Sequence, residues 1–369
     1  MKTPYILKRI LFLLLVVTGI PFLANAQVYS EKREQGKSFK LKSGTTVMIT
    51  NKYGNVNVMP WDKDSVRIEV SMSAQSKQAA KVVKILSSID CEMISTATSI
   101  NARTVFYDNS ATFWKDVVSY AGQVINTSNN LQINYTVYIP ENVPLKIENK
   151  FGNIYMDSHR ANVDILLSNG DLQARDFSKT LKLKLEFGSA SFQDADDAQL
   201  TVNYSDITCR KLNTLNLNSR SSTMEIEETG AVEITSSRDK LVVKSCTSII
   251  GDASFSRIRI NEMESMCTMD TKYGELRLNS ISRNFRAIQL KMEYTDIFVG
   301  INPASNYSVD LLYDAKTALN ISSPVNNQLK KETLNEKTGT IQATGDVGKA
   351  SGSHISISAK AGSISVLNK

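Results

Sequence analysis

Ten positions between Leu145 and Ala315 constrain this chain more than anything else in it. Phe151, Asn169, Phe187, Tyr204, Ser221, Arg238, Phe255, Tyr273, Tyr294 and Tyr313 follow one another at intervals of 18, 18, 17, 17, 17, 17, 18, 21 and 19 residues. Around each, apolar residues fall two, four and six places before and three, five and eight places after. The residue that comes next is a turn former: Gly152, Gly170, Gly188, Ser205, Ser222, Asp239, Ser256, Gly274, Thr295, Asp314. A repeat of this length cannot bury its own apolar face. It can only do so by stacking on its neighbours, with the marked position as a corner. The pattern therefore predicts an all-β chain folded as a parallel β-solenoid of about 17–18 residues per coil. Each coil supplies two alternating strands and a third inward residue, giving a three-sided section.

The repeat appears once earlier, with Tyr53-Gly54 as its corner and Trp61 in the inward place eight residues on, and once at the end, around Ala361-Gly362. Between the first copy and the main array the period changes. Ala79, Val82, Val83, Leu86 and Ile89 share one face of an inserted amphipathic helix, placed to cover an edge of sheet. Strands come next at 93–107 and 131–139. The segment 108–130, with Phe113 and Trp114, is either a short docked helix or an exposed contact element. After Ile321 the repeat lapses into a polar loop or hairpin over 322–353. The resulting division is 1–26, 27–144, 145–321 and 322–369.

The first of these segments is a leader. Lys2, Lys8 and Arg9 precede an apolar run from Ile10 to Ile20, and Ala24-Asn25-Ala26 offers a cleavage site before Gln27. A retained anchor is the alternative, but the run is short for a span of ~20 residues and ends at Pro21. No later segment is apolar enough to cross a membrane. The chain has 43 Lys and Arg against 37 Asp and Glu, and loss of the leader's three cations leaves 40 against 37, dispersed along the chain. That is no footprint for nucleic acid.

Chemistry-bearing residues are few. His159 sits eight places after Phe151, in the column of Phe177, Ala195 and Leu212, which marks it as a structural histidine. His354 has no recognisable partner. Two histidines supply neither a His-based zinc site nor a Ser-His-Asp arrangement. Cys91, Cys209, Cys246 and Cys267 fall in different columns or outside the coils, which predicts buried free thiols, and their spacing matches no metal motif. The acids Asp194, Asp196 and Asp197, and Glu225, Glu227 and Glu228, lie at a turn and a strand end where solvated carboxylates are common. No catalytic residue, metal ligand or cofactor site emerges.

Eight of twelve corners are aromatic. They share parity with inward residues, so the expectation is an internal ladder that stabilises the coils. Outward places of the middle coils hold Thr201, Asn203, Asn216, Asn218, Arg220, Thr235 and Ser237, a flat polar strip. It either hydrogen-bonds a polysaccharide or protein, or is an ordinary solvated sheet.

Asn51-Lys52-Tyr53-Gly54-Asn55-Val56-Asn57-Val58 with Trp61-Asp62, then Tyr135 to Pro140, then Glu148-Asn149-Lys150-Phe151-Gly152-Asn153-Ile154, together resemble the exported bacterial β-strand-repeat domains called putative adhesins, a family of unknown function. The resemblance implies a solenoid-like body, a location in the periplasm, on the outer-membrane surface or outside the cell, and no established catalytic residues. The functional expectation is a non-enzymatic envelope protein presenting a binding face to a surface glycan or protein. A polysaccharide-acting β-helix enzyme and a structural or regulatory envelope component are the alternatives.

Overall fold

The computed structural model describes residues 28–107, 131–349 and 352–368. The expected leader, residues 1–26, and the segment 108–130 lie outside the described residues. The chain opens with β1 (Tyr29–Lys40), β2 (Thr46–Lys52), β3 (Val56–Pro60), β4 (Ser65–Ser76), α1 (Ala79–Ser87), β5 (Ile89–Ser95), β6 (Ser99–Phe106) and β7 (Leu131–Ile139). It continues through β8 (Leu145–Lys150), β9 (Ile154–Met156), β10 (Val163–Ser168), β11 (Asp171–Gln173) and β12 (Asp176–Glu186). Five long strands come after these: β13 (Ser189–Asn203), β14 (Asp206–Arg220), β15 (Thr223–Ser237), β16 (Lys240–Ser254) and β17 (Arg257–Lys272). The C-terminal part comprises β18 (Glu275–Ile281), β19 (Ala287–Ile301), β20 (Tyr307–Tyr313), β21 (Thr317–Ile321), α2 (Ser323–Asn326), β22 (Lys330–Asn335), β23 (Thr340–Val347) and β24 (His354–Asn368).

These strands form one long mixed sheet, which is not closed on itself. Its middle is parallel and in register. Ser189, Asp206, Thr223, Lys240 and Arg257 succeed one another across β13 to β17, and Asn203, Arg220, Ser237, Ser254 and Lys272 do so at the other end. Each of these strands therefore runs from one corner to the next. The first copy of the repeat joins the same stack, since β2 pairs with β8 and β3 with β9, both parallel.

The closed tube expected from the repeat is not formed, and the parallel stacking does not extend to the ends, where antiparallel pairing takes over. At the N-terminus β1, a strand the repeat did not announce, pairs antiparallel with β4, and β4 pairs antiparallel with β7. Near the C-terminus β22 and β23 make a hairpin that lies antiparallel along β20. A hairpin needs only a short turn, whereas another parallel layer needs a full circuit of chain.

Eleven of the twelve corners adopt positive φ, between 50° and 66°. For an L-residue this region costs roughly 1–2 kcal/mol, and it rotates the corner side chain out of the strand's alternation. The run through Tyr204 shows the effect. Leu200 and Val202 point inward, Tyr204 is 49% exposed, and Ser205, Ile207, Cys209 and Leu212 are buried. The residue after the corner takes the inward place that parity assigned to the corner itself. From Phe151 to Tyr294 the aromatic ladder is therefore external, contrary to the expectation, whereas Tyr53 is buried.

Tyr313 is the twelfth corner and is not one. It is buried within β20 without positive φ. β24 has inserted between β19 and the pair β20–β21: Thr295 faces Gly362 on one side of it, and Gly362 faces Thr317 on the other. Ala361, not Tyr313, is therefore the corner next to Tyr294. The last copy of the repeat forms β24 with its corner at Ala361, and it lies inside the stack rather than at its end.

The helix α1 buries Val82, Ile85 and Leu86 against β4, β1 and β5. Val83 is exposed, so the apolar face is rotated from the one expected, and Ile89 already belongs to β5. Trp61 is half-buried rather than inward, its indole N–H donating to the Ser65 carbonyl at 2.7 Å and its ring 5.6 Å from Tyr138.

Candidate functional site

The polar strip is real as geometry. Thr201, Asn218 and Thr235 succeed one another across β13, β14 and β15, as do Asn203, Arg220 and Ser237, with Asn216 alongside on β14. All seven side chains point outward, and Asn216, Asn218, Arg220 and Thr235 are exposed. Within the strip's surroundings Asn216 donates to Glu233 across the layers at 3.1 Å.

Beside the strip runs the corner ladder. Phe187 and Tyr204 stack with centroids 5.2 Å apart and planes 3° from parallel. Phe255 stacks on Tyr273 at 5.0 Å, Tyr273 on Tyr294 at 5.1 Å, and Tyr53 on Phe151 at 5.4 Å. Aromatic pairs contribute ~0.5–1.5 kcal/mol beyond area burial, which offsets much of the positive-φ cost at the stacked corners. Two interruptions divide the ladder, at Asn169 and at Ser221–Arg238. The backbone does not notice the second, because Tyr204, Ser221, Arg238 and Phe255 all donate their N–H to the next layer's carbonyl at 2.7–3.0 Å. Only side chains are missing. The Arg238 guanidinium lies over the Phe255 ring, 5.5 Å from its centroid.

Directly inside these corners a second ladder holds the turns. Gly152, Gly170 and Gly188 allow the backbone of successive layers to close up, and a Cβ on Gly188 would overlap the Gly170 carbonyl. From Ser205 to Ser256 the inward residue is polar and accepts an N–H from the layer before it: Gly188 to Ser205 Oγ at 3.2 Å, Ser205 to Ser222 Oγ at 3.3 Å, Ser222 to Asp239 Oδ1 at 2.8 Å, and Asp239 to Ser256 Oγ at 3.1 Å. Asp239 is buried, and its Oδ2 also accepts the hydroxyls of Ser219 and Ser236 and the Ser237 N–H. This carboxylate is fully committed to fixing the Ser221 and Arg238 corners.

The remaining candidates are buried or paired, apart from Glu225 and Glu227, which are exposed on β15. His159 is buried, bridged to Phe177 in the neighbouring layer, with Nε2 2.8 Å from the Val143 carbonyl. Burial holds its pKa below the usual imidazole value. His354 accepts from Gln289 at 2.9 Å in the tautomer that leaves Nε2 unprotonated. The four cysteines are free and buried. Burial pushes the Cys91 thiol up to about 11 and those of Cys209 and Cys246 up to about 12, and raises Cys267 as well. Asp194 pairs with Arg210, Asp196 accepts from Asn213, Asp197 accepts from Thr180 and Thr214, and Glu228 pairs with Lys211. Among the described residues no three His, Cys, Asp or Glu side chains are grouped to hold a metal ion. No helix among them is long and apolar enough to cross a membrane.

The external ladder is the feature that alternation alone missed. A turn former after every corner was the available signal, because it marks a break in strand geometry at which parity need not carry through.

No family model matches the chain, and no curated protein is similar to it. Among solved structures it is similar to a putative cell adhesion protein from Clostridium sporogenes ATCC 15579, at 10% identity and a TM-score of 0.20, over 92% of this chain and 100% of that one. It is also similar to a putative adhesin from Bacteroides fragilis NCTC 9343, at 10% identity and a TM-score of 0.23, over 91% and 97% respectively.

Proposed function

We propose that this chain is a non-enzymatic exported protein of the cell envelope or surface, adhesin-like in role. Its parallel stack acts as a β-solenoid-type rod that presents one face to a glycan or protein. The observation that carries this is the seven-residue polar strip on three adjacent in-register strands. A flat face of amide, hydroxyl and guanidinium groups suits a repeating ligand, because successive layers place hydrogen-bonding side chains at the same positions along adjacent strands. The leader supports export. The commitment of His159, the thiols and most of the acidic side chains to structural contacts favours binding over catalysis.

Glycan-array and pull-down binding with the purified chain tests the proposal. Retention of a ligand that is lost when Asn216, Asn218 and Thr235 are changed to Ala supports it. Absence of any ligand above background, or degradation of a bound polysaccharide, overturns it.

A further inference from the structure

We infer that the interruption of the corner ladder at Ser221 is a binding slot for one sugar ring of an acidic, uronate-bearing polysaccharide, gripped between Tyr204 and Arg238. This deepens the surface-binding reading above and rests on it.

One face of Tyr204 is covered by Phe187, so its other face looks along the stack toward the Ser221 layer. The next side chain of any size is Arg238, two layers on, held against Phe255. With rungs 5.0–5.4 Å apart elsewhere in the ladder, the two walls stand roughly 10 Å apart, about twice one stacking distance. Ser221 forms the floor. A puckered pyranose lies against the Tyr204 face through its axial C–H groups and reaches the Arg238 guanidinium with a hydroxyl or carboxylate. A planar nucleobase is thinner and touches only one wall, which favours sugar over nucleic acid.

Charge selects the acid. Arg220 borders the slot on the strip side; on the other side Asp206, Thr223 and Lys240 lie in the layers of Tyr204, Ser221 and Arg238, and Arg257 lies one layer further on. Arg220, Arg238, Lys240 and Arg257 are all exposed. Among the described residues none of these four cations forms an ion pair, while cations of other layers do, as in Lys146–Asp164, Lys291–Asp270 and Lys360–Glu293. Asp206 is an exposed acid on the rim itself, and set against Arg220, Arg238 and Lys240 it leaves the rim net positive. Asp239 lies beneath but is satisfied by its own donors.

The test completes the ladder. Ser221→Tyr supplies the missing rung at a corner whose backbone already matches its aromatic neighbours, so the variant folds and the slot is closed. Titration calorimetry with polygalacturonate, dextran and single-stranded oligothymidylate is run on the wild type, Ser221→Tyr and Arg238→Ser. The expected result is polygalacturonate binding that weakens with added salt and falls at least ~10-fold in both variants, one decade in affinity, with unchanged thermal midpoints and no dextran binding. Equal binding by wild type and Ser221→Tyr overturns the slot while leaving the surface-binding reading intact. Preference for the oligothymidylate or for dextran overturns the acidic-glycan assignment. If wild type binds none of the three, the slot proposal fails, and the glycan-array experiment separately decides the broader reading.

Discussion

The ring of Tyr204 lies on that of Phe187 with 3° between their planes, on the outside of the molecule, although both residues come after strands whose alternation would send them inward. Positive φ at each corner makes this possible and also makes it costly. Replacement with Ala keeps the strained backbone and loses the stacking, so Tyr204→Ala is expected to lower stability by about 1 kcal/mol. Tyr204→Gly loses the same stacking but relieves the corner, and is expected to lie closer to wild type. Urea unfolding midpoints compare the two, and a Gly variant as damaged as the Ala variant would contradict the account of the corner.

Asp239 gathers four donors in the interior. Asp239→Ala leaves them without an acceptor and is expected to cost about 3 kcal/mol or more. Asp239→Ser reproduces the residue found at the same place in the layers on either side, Ser222 and Ser256, and is expected to recover part of the loss. Chemical denaturation of the three proteins measures the order, which is wild type, then Ser, then Ala.

His159 is held neutral by burial. Its folded pKa lies below the unfolded value of 6.5, so the unfolded state takes up the proton first on acidification. Stability contributed by this site is complete above pH 6.5 and declines as pH falls from there toward the folded pKa. Thermal midpoints recorded from pH 7.5 to 5 are expected to drop, and His159→Gln is expected to flatten that part of the profile. An identical slope in the variant would assign the pH dependence elsewhere.

The thiols are buried and their pKa values are raised. All four are expected to resist a water-soluble disulfide reagent at pH 8 in the native protein and to react in denaturant. Stoichiometric labelling of the folded chain would show that the layers open far more readily than their packing implies.

β24 is hydrogen-bonded on both sides, to β19 and to β20 and β21. Ending the chain at Val347 exposes those edges, and the product is expected to self-associate. A synthetic peptide covering residues 354–368 is expected to fill the gap and restore the monomer in size-exclusion chromatography. A truncated chain that stays monomeric without peptide would mean the layers re-pair directly.

Much of this architecture was legible in one dimension. Local spacing identified eleven corners that do adopt positive φ, the buried columns containing Leu200, Leu217 and Ile234, the helix after the first coil, and the interior placement of His159 and the cysteines. The outward polar strip came from the same alternation, because within a strand successive side chains point to opposite faces.

What the sequence alone determined about this protein is thus the repeat, its corners and which residues the strands bury, all of which depend on neighbours a few places away. Tertiary structure decided the rest. The direction of Tyr204 depends on a backbone inversion that parity does not register, and the slot beside it exists only because Ser221 stacks between Tyr204 and Arg238 from other layers. The place of β24 was settled by hydrogen bonding to strands more than forty residues away, where any segment with a matching inward pattern competes for the same rung.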